Sequence, residues 1–135
     1  MEFFRWIDIP VYLSWFFWVA AHPQDSPRYW IALAIAAVGF ILWITARIQL
    51  GRSFSVRAKA TQLVTTGLYS KIRNPVYFFA HIAILATAVA WGRWIWVLLA
   101  LLGIPFQMAR ALKEQQVLEA AFGDEYRRYK AQTWF

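Results

Sequence analysis

The feature that most constrains this chain is a set of long runs without a formal charge. Tyr29 to Ala46 is one such run of 18 residues, Pro75 to Gly92 is another of 18, and Trp94 to Ala109 is a third of 16. At about 1.5 Å of rise per residue, 18 helical residues reach roughly 27 Å, close to the thickness of a bilayer core. Runs that are apolar on every side leave no face for water, so each is expected to cross a membrane as a helix. A shorter run, Ile9 to Ala21, follows Arg5 and Asp8 and contains Pro10 near its start. Val19-Ala20-Ala21 is a poor signal-peptidase site, so a retained span starting near Phe3, with Arg5 and Asp8 at the interface, is expected.

The expected fold class is therefore all-α integral membrane. A single domain over residues 1–135 would hold about four transmembrane helices, at about 3–21, 29–46, 75–92 and 94–110. Composition agrees, because 61% hydrophobic residues in so short a soluble chain would leave large exposed apolar patches. The chain has no cysteine, which excludes disulfides, thiolate metal sites and cysteine nucleophiles. His22 and His81 are its two histidines, too few for a typical histidine-based centre, so no metal is expected. The net charge of +7 raises nucleic acid as a partner. Basic residues at the ends of apolar runs instead set topology and meet anionic lipid headgroups, so membrane lipids and not nucleic acid are expected.

Orientation follows from the loops. Arg47, Arg52, Arg57, Lys59, Lys71 and Arg73 lie between the second and third runs with no acidic residue among them. The turns on the other side hold Asp25, Arg28 and Arg93. The positive-inside rule then puts the 47–74 loop and both termini in the cytoplasm. Gly92-Arg93 is short enough to fold the third and fourth spans into a helical hairpin. Pro105 predicts a kink near Leu101–Pro105, after which Arg110, Lys113, Glu114 and Glu119 take the helix out of the membrane. Gly123 marks a helix end, and Asp124 is the expected cap of a last short helix through Tyr126 and Tyr129.

Two segments carry candidate chemistry. In the first, from Leu63 to Tyr77, Asn74 suits an N-cap and Pro75 a first helical residue. The free N–H groups of that helix start, with Arg73, suit a carboxylate or phosphate, and Gly67 permits close backbone approach beside Tyr69 and Tyr77. Taken alone, the same residues fit better a capped helix entering the membrane with a snorkelling Arg and interfacial Tyr. In the second, Arg110 and Glu114 stand four apart on one helix face. Exposed, such a pair contributes a few tenths of a kcal/mol; at the mouth of a membrane cavity it would orient a polar substrate group.

Together the two blocks resemble the isoprenylcysteine carboxyl methyltransferase family, which is related to membrane phospholipid methyltransferases. Leu63, Val64, Gly67, Tyr69, Arg73, Pro75 and Tyr77 match the first family block, and Arg110, Glu114, Leu118, Phe122, Gly123, Tyr126 and Tyr129 the second. The resemblance covers roughly residues 47–130. Asn74 replaces the usual histidine, Gln115 replaces a second glutamate, and Phe79 stands where glycine is common.

The resemblance implies S-adenosylmethionine as methyl donor and S-adenosylhomocysteine as product. It implies cofactor-site motifs at 62–77 and 110–129, with Leu63, Val64, Gly67, Leu68, Tyr69, Arg73, Asn74, Pro75, Tyr77 and Glu114 around the donor, and Arg110 and Glu114 as catalytic residues. The implied acceptor is lipophilic and membrane-borne, and carboxyl (O-)methylation is the expected reaction. Phospholipid or small-amine N-methylation is the nearest alternative. A small four-helix multidrug-type transporter would need Asp8 as its essential acid. His81 either faces the cavity as an acid or base or bonds a neighbouring helix. Oligomeric state stays open.

Overall fold

A computed structural model describes residues 8–51 and 63–135. Phe3 and Arg5 at the start, and Arg52, Arg57, Lys59 and Gln62 of the basic loop, lie outside the described residues. The elements in chain order are α1 (Asp8–Ala20), α2 (Pro27–Leu50), a 3-10 turn (Gly67–Ser70), α3 (Pro75–Trp91), α4 (Trp94–Phe122) and α5 (Asp124–Gln132). Among the described residues the only β-type pairing is an isolated parallel bridge between Ile72 and Trp134.

Local chemistry sets most boundaries. Ser26 caps α2 by accepting from the Tyr29 N–H at 3.2 Å, and Pro27, which lacks an N–H, takes the first helical position. Asn74 and Pro75 open α3 in the same order, yet the Asn74 side chain makes no capping bond. Gly92 closes α3, its N–H shared between the carbonyls of Ala88 and Val89, and Arg93 leads straight into α4. Gly123 both ends α4 and occupies the cap position of α5, so Asp124 stands in the first turn and is not the cap. There its charge still favours the positive end of the helix dipole.

α2 runs past its expected end. Arg47, expected in the basic loop, lies inside the helix and is 4% exposed. A carboxylate from α1 makes this burial tolerable: the Arg47 guanidinium pairs with Asp8 and lies 5.4 Å from the centre of the Trp43 ring. The pair joins α1 to α2.

The main packing surface is α2 against α3. Ala32, Ala36, Gly39 and Ala46 on α2 meet a small-residue face of α3 that includes Ala80, Ala83 and Ala90, all buried. A Cβ at Gly39 would lie 3.0 Å from the Ala83 nitrogen, so glycine sets the closest approach. Larger side chains, Phe40, Trp43, Val76 and Phe79, fill the space on either side of this seam. Tyr29, fully buried, donates to the Val19 carbonyl at 3.0 Å and so ties the end of α1 to α2.

The outer surface is apolar: Trp94 is 75% exposed, Phe106 79% and Ile41 64%. Such a surface is stable with lipid as solvent. α2 and α4 are long and apolar enough to cross a bilayer, and α3 is an apolar helix of 17 residues. α4 continues through Pro105 for 29 residues, or about 44 Å, longer than a bilayer core. Its charged second half, from Arg110 on, carries α5 back to the segment before α3.

Candidate active site

The first site element is the 3-10 turn. Gly67 has φ +62, a conformation that calls for glycine, and a Cβ there would fall 2.5 Å from the end of the Gln49 side chain, which would have to shift. Gln49, at the end of α2, accepts from the Leu68 N–H at 2.8 Å through Oε1. Ser70 Oγ donates to the Gly67 carbonyl at 2.7 Å. The turn is thereby fixed to α2, with Val64 and Leu68 packed against the core. Leu63 is half-buried.

This anchoring directs Tyr69 inward, where it is 5% exposed. Its hydroxyl is buried and has no hydrogen-bond partner among the described residues. Burial pushes its ionisation well above the ordinary phenol range, and Tyr129, Glu114 and Tyr77 push it further while Arg47 opposes them. Tyr69 therefore presents a neutral O–H. The Asn74 side chain is in a similar state, its Nδ2 buried without a partner among the described residues.

The second site element crosses from α3 to α4. Tyr77 Oη donates to Glu114 Oε1 at 2.5 Å, and Arg110 Nε approaches the same oxygen at 3.4 Å. The Arg110 guanidinium also lies 5.7 Å from the centre of the Tyr77 ring. The three side chains form a closed triangle in which the carboxylate has a fixed direction. Arg110 remains 40% exposed on its side chain and Glu114 26%, so a ligand can reach both.

Arg73 is placed elsewhere. Its backbone N–H donates to the Trp134 carbonyl at 3.0 Å, and its Nη1 donates to the Lys130 carbonyl at 3.2 Å, in the last turn of α5. A cation at that position suits the negative end of the helix. The Asn74 N–H is likewise taken, by the Phe135 carbonyl at 2.9 Å. The two N–H groups just before α3 thus serve the C-terminal segment. Pro75 is buried and shapes the helix entry.

Of the departures from the family pattern, Phe79 is a core residue packed on Phe78, and Gln115 is half-buried. His81 on α3 interacts with Gln107 on α4, while its Nε2 is buried without a partner among the described residues. Among the described residues no group of three or more His, Cys, Asp or Glu side chains is placed to hold a metal ion.

Three sets of interactions were not foreseen in the sequence, those of Gln49, of the Asp8–Arg47 pair and of Trp134 with Phe135. Gln49 was inside a helix end with no motif, and only its polarity beside Gly51 hinted at a turn partner. Asp8 and Arg47 are 39 positions apart, and their complementarity as isolated charges in apolar runs was the available signal. Trp134 and Phe135 had no periodic neighbours to mark them.

The geometry can be set against known proteins. The chain is 34% identical over 105 residues to a fission yeast (Schizosaccharomyces pombe) protein named protein-S-isoprenylcysteine O-methyltransferase, a match covering 73% of this chain. The chain spans 44% of the length of that curated relative. The phospholipid methyltransferase family matches residues 27–125. That stretch contains α2, the 3-10 turn, Asn74 and the whole Tyr77–Arg110–Glu114 triangle, and excludes Asp8 and everything from Tyr126 on. By that match over most of its length, the chain belongs to the phospholipid methyltransferase family.

Proposed function

We propose that this protein is an S-adenosylmethionine-dependent methyltransferase that methylates a lipophilic, membrane-borne acceptor on a carboxylate. The observation that carries the reading is the juxtaposition, inside the family-matched stretch, of the Tyr77–Arg110–Glu114 triangle with the unpartnered hydroxyl of Tyr69. Buried polar groups are nearly always satisfied, and of the eight buried side-chain atoms without a partner among the described residues three, Tyr69 Oη, Arg73 Nε and Asn74 Nδ2, fall in this one segment, which suits a polar ligand there. The donor's hydroxyl, amino and carboxylate groups fit these atoms in chemical type.

In this reading the Leu63–Tyr69 segment and Asn74, Pro75 and Tyr77 surround the donor. Arg73 contributes by holding the segment and not by direct contact. Bound S-adenosylmethionine supplies a methyl group already activated as a sulfonium, with S-adenosylhomocysteine as leaving product. Arg110 orients the acceptor carboxylate, and Glu114, held by Tyr77, fixes the donor end by hydrogen bonding. The carboxylate oxygen forms the new bond to the methyl carbon as the carbon–sulfur bond breaks, and no proton moves. The chain's task is alignment and exclusion of water, which the apolar walls of α2, α3 and α4 provide.

The arrangement is that of a single membrane domain with four spans, α1 to α4, the 3-10 turn and α5 lying together on the cytoplasmic side. The basic loop supports that orientation. A tailed acceptor then enters from the bilayer while the water-soluble donor enters from the cytoplasm. A proton-coupled transporter would require Asp8 as a titrating acid, and Asp8 is engaged with Arg47.

The description of the matched family favours a second reading, N-methylation of a phospholipid or small amine. There Glu114 would accept the proton that the amine loses. Both readings are tested by incubating the purified protein with methyl-labelled donor and a lipid extract. Label appearing in a base-labile lipid product supports the ester, and label in a base-stable product supports the amine. No transfer, with no S-adenosylhomocysteine binding by calorimetry, would remove the methyltransferase reading.

A further inference from the structure

The residues after Tyr126 lie outside the family-matched stretch, yet they make the densest set of bonds to the proposed donor segment. Lys71 to Asn74 belong to neither helix nor sheet ladder, so their backbone groups need partners from elsewhere. The Leu68 carbonyl takes the Lys71 and Ile72 N–H groups, the Phe78 N–H donates to the Asn74 carbonyl, and the C-terminal segment supplies three more. Trp134 N–H donates to the Lys71 carbonyl at 3.0 Å, and the Arg73 and Asn74 N–H groups donate to the carbonyls of Trp134 and Phe135 at 3.0 and 2.9 Å. Tyr129 Oη, buried, donates to the Tyr69 carbonyl at 2.7 Å. The Trp134 ring meets Phe78 on α3 edge-on, with centroids 5.2 Å apart.

These bonds fall in a pattern. Tyr69, Arg73 and Asn74 are the three residues of the segment with buried side-chain polar atoms that have no partner among the described residues, at Oη, Nε and Nδ2. They are also residues whose backbones the tail grips, Tyr69 at its carbonyl and Arg73 and Asn74 at their N–H groups; the Arg73 side chain is itself tied to the tail through Nη1, which leaves Tyr69 and Asn74 as the side chains open to a ligand. If the tail lifted, those backbone groups would turn to water, and the side-chain atoms aimed at the ligand would move with them.

We propose that residues 129–135 form a clasp that sets the position of Tyr69 and Asn74 for donor binding, with Tyr129 and Trp134 as positioning residues. This inference rests on the methyltransferase reading. The clasp acts on the donor side: the bonds of Tyr129 and Trp134 fall on Tyr69, Lys71 and Arg73 and the Trp134 ring on Phe78, whereas Arg110, which orients the acceptor, stands on α4.

The test uses the full chain in detergent or nanodiscs. S-adenosylhomocysteine affinity is measured by calorimetry, with KM for donor and for acceptor, in Tyr129→Phe, Trp134→Ala and Trp134→Phe. Tyr129→Phe keeps the ring and removes one buried hydrogen bond, and donor affinity should fall roughly fivefold to tenfold. Trp134→Ala should weaken it at least as much, and Trp134→Phe, which restores an aromatic edge against Phe78, should recover most of the loss. Acceptor KM should stay within about twofold, as expected for sites without shared partners. Donor affinity unchanged in both Tyr129→Phe and Trp134→Ala, in a parent protein that binds, overturns the clasp. So does a shift confined to the acceptor KM. A parent that binds no S-adenosylhomocysteine removes the methyltransferase reading itself. If Trp134→Ala does not fold, Tyr129→Phe still decides.

Discussion

Tyr77 on α3 and Glu114 on α4 are joined by a 2.5 Å hydrogen bond, from the phenol to the carboxylate, across the hairpin that Gly92 and Arg93 close. The bond orients the carboxylate whose other neighbour is Arg110. Removing the hydroxyl in Tyr77→Phe leaves Glu114 with Arg110 alone. A hydrogen bond to a charged group contributes about 1.5–3 kcal/mol, so kcat/KM should fall roughly tenfold to a hundredfold. Glu114→Gln removes the charge that organises all three side chains and should cost about a hundredfold or more. Label transfer from donor to lipid measures both. Glu114→Gln with parental activity would exclude Glu114 from the site.

Gly39 sets the spacing of the main helix pair. A methyl group there would sit 3.0 Å from backbone nitrogen of Ala83, an atom with no side-chain freedom to move away. Gly39→Val therefore forces α2 and α3 apart and should destabilise the protein by about 1–3 kcal/mol, in the range of overpacked cores. Thermal unfolding in detergent reads this directly. Because the seam lies between the helices and away from Glu114, residual folded protein should keep its donor affinity.

Where structure is set by adjacent residues, the sequence was readable. Asn74-Pro75, Gly92 and Gly123 mark helix ends through local sterics and hydrogen bonding, and each lies at or beside an observed boundary. The Arg110–Glu114 pair is likewise a local spacing. Arg47 was misplaced because a charge after an apolar run looks like the end of a span, while its partner Asp8 is 39 positions away. Arg73 beside a helix start reads as an anion ligand, while its Nη1 bond to the Lys130 carbonyl, 57 residues distant, is one that no local spacing announces. The pairing of Trp134 with Lys71 and Arg73 involves so few residues that no period of two can announce it. Asn74 had the right identity for a cap, but its backbone at ψ 56 and the tail bond on its N–H direct the side chain elsewhere.

Asp8 and Arg47 make a second test of non-local structure. Removing one member of a buried ion pair costs about 3–5 kcal/mol, and the 39% exposure of Asp8 lowers the expected cost of Asp8→Asn to about 1–3 kcal/mol. The double variant Asp8→Asn with Arg47→Met should be more stable than the sum of the single changes predicts, since it leaves no lone charge behind. Unfolding midpoints of the four proteins complete the cycle. Methyl transfer should persist in Asp8→Asn, whereas a proton-coupled transporter would lose all function.

The clasp also carries a pH signature. Burial first, and then Tyr126, push the Tyr129 phenol from its ordinary value near 10 up to about 12, with Arg73 acting in the opposite direction. In the unfolded chain the phenol ionises near 10, so between about pH 10 and 12 the folded state holds a proton that the unfolded state has lost. Stability from this group is therefore complete below about pH 10 and declines as pH rises through about 12. Tyr69 and Tyr126, also raised by burial, add declines of the same sign, so the parent curve alone does not isolate Tyr129. The difference between parent and Tyr129→Phe does. Below about pH 10 the variant should be less stable by about 1 kcal/mol, the worth of its lost bond to the Tyr69 carbonyl. Between about pH 10 and 12 the gap should close, because the parent's unfolded chain gains by ionising a phenol that the folded chain keeps protonated, and above about 12 the folded phenol ionises too and no longer donates. Unfolding midpoints that stay parallel across that window would mean that Tyr129 keeps no proton for the Tyr69 carbonyl, and that the tail is held by its backbone pairing alone.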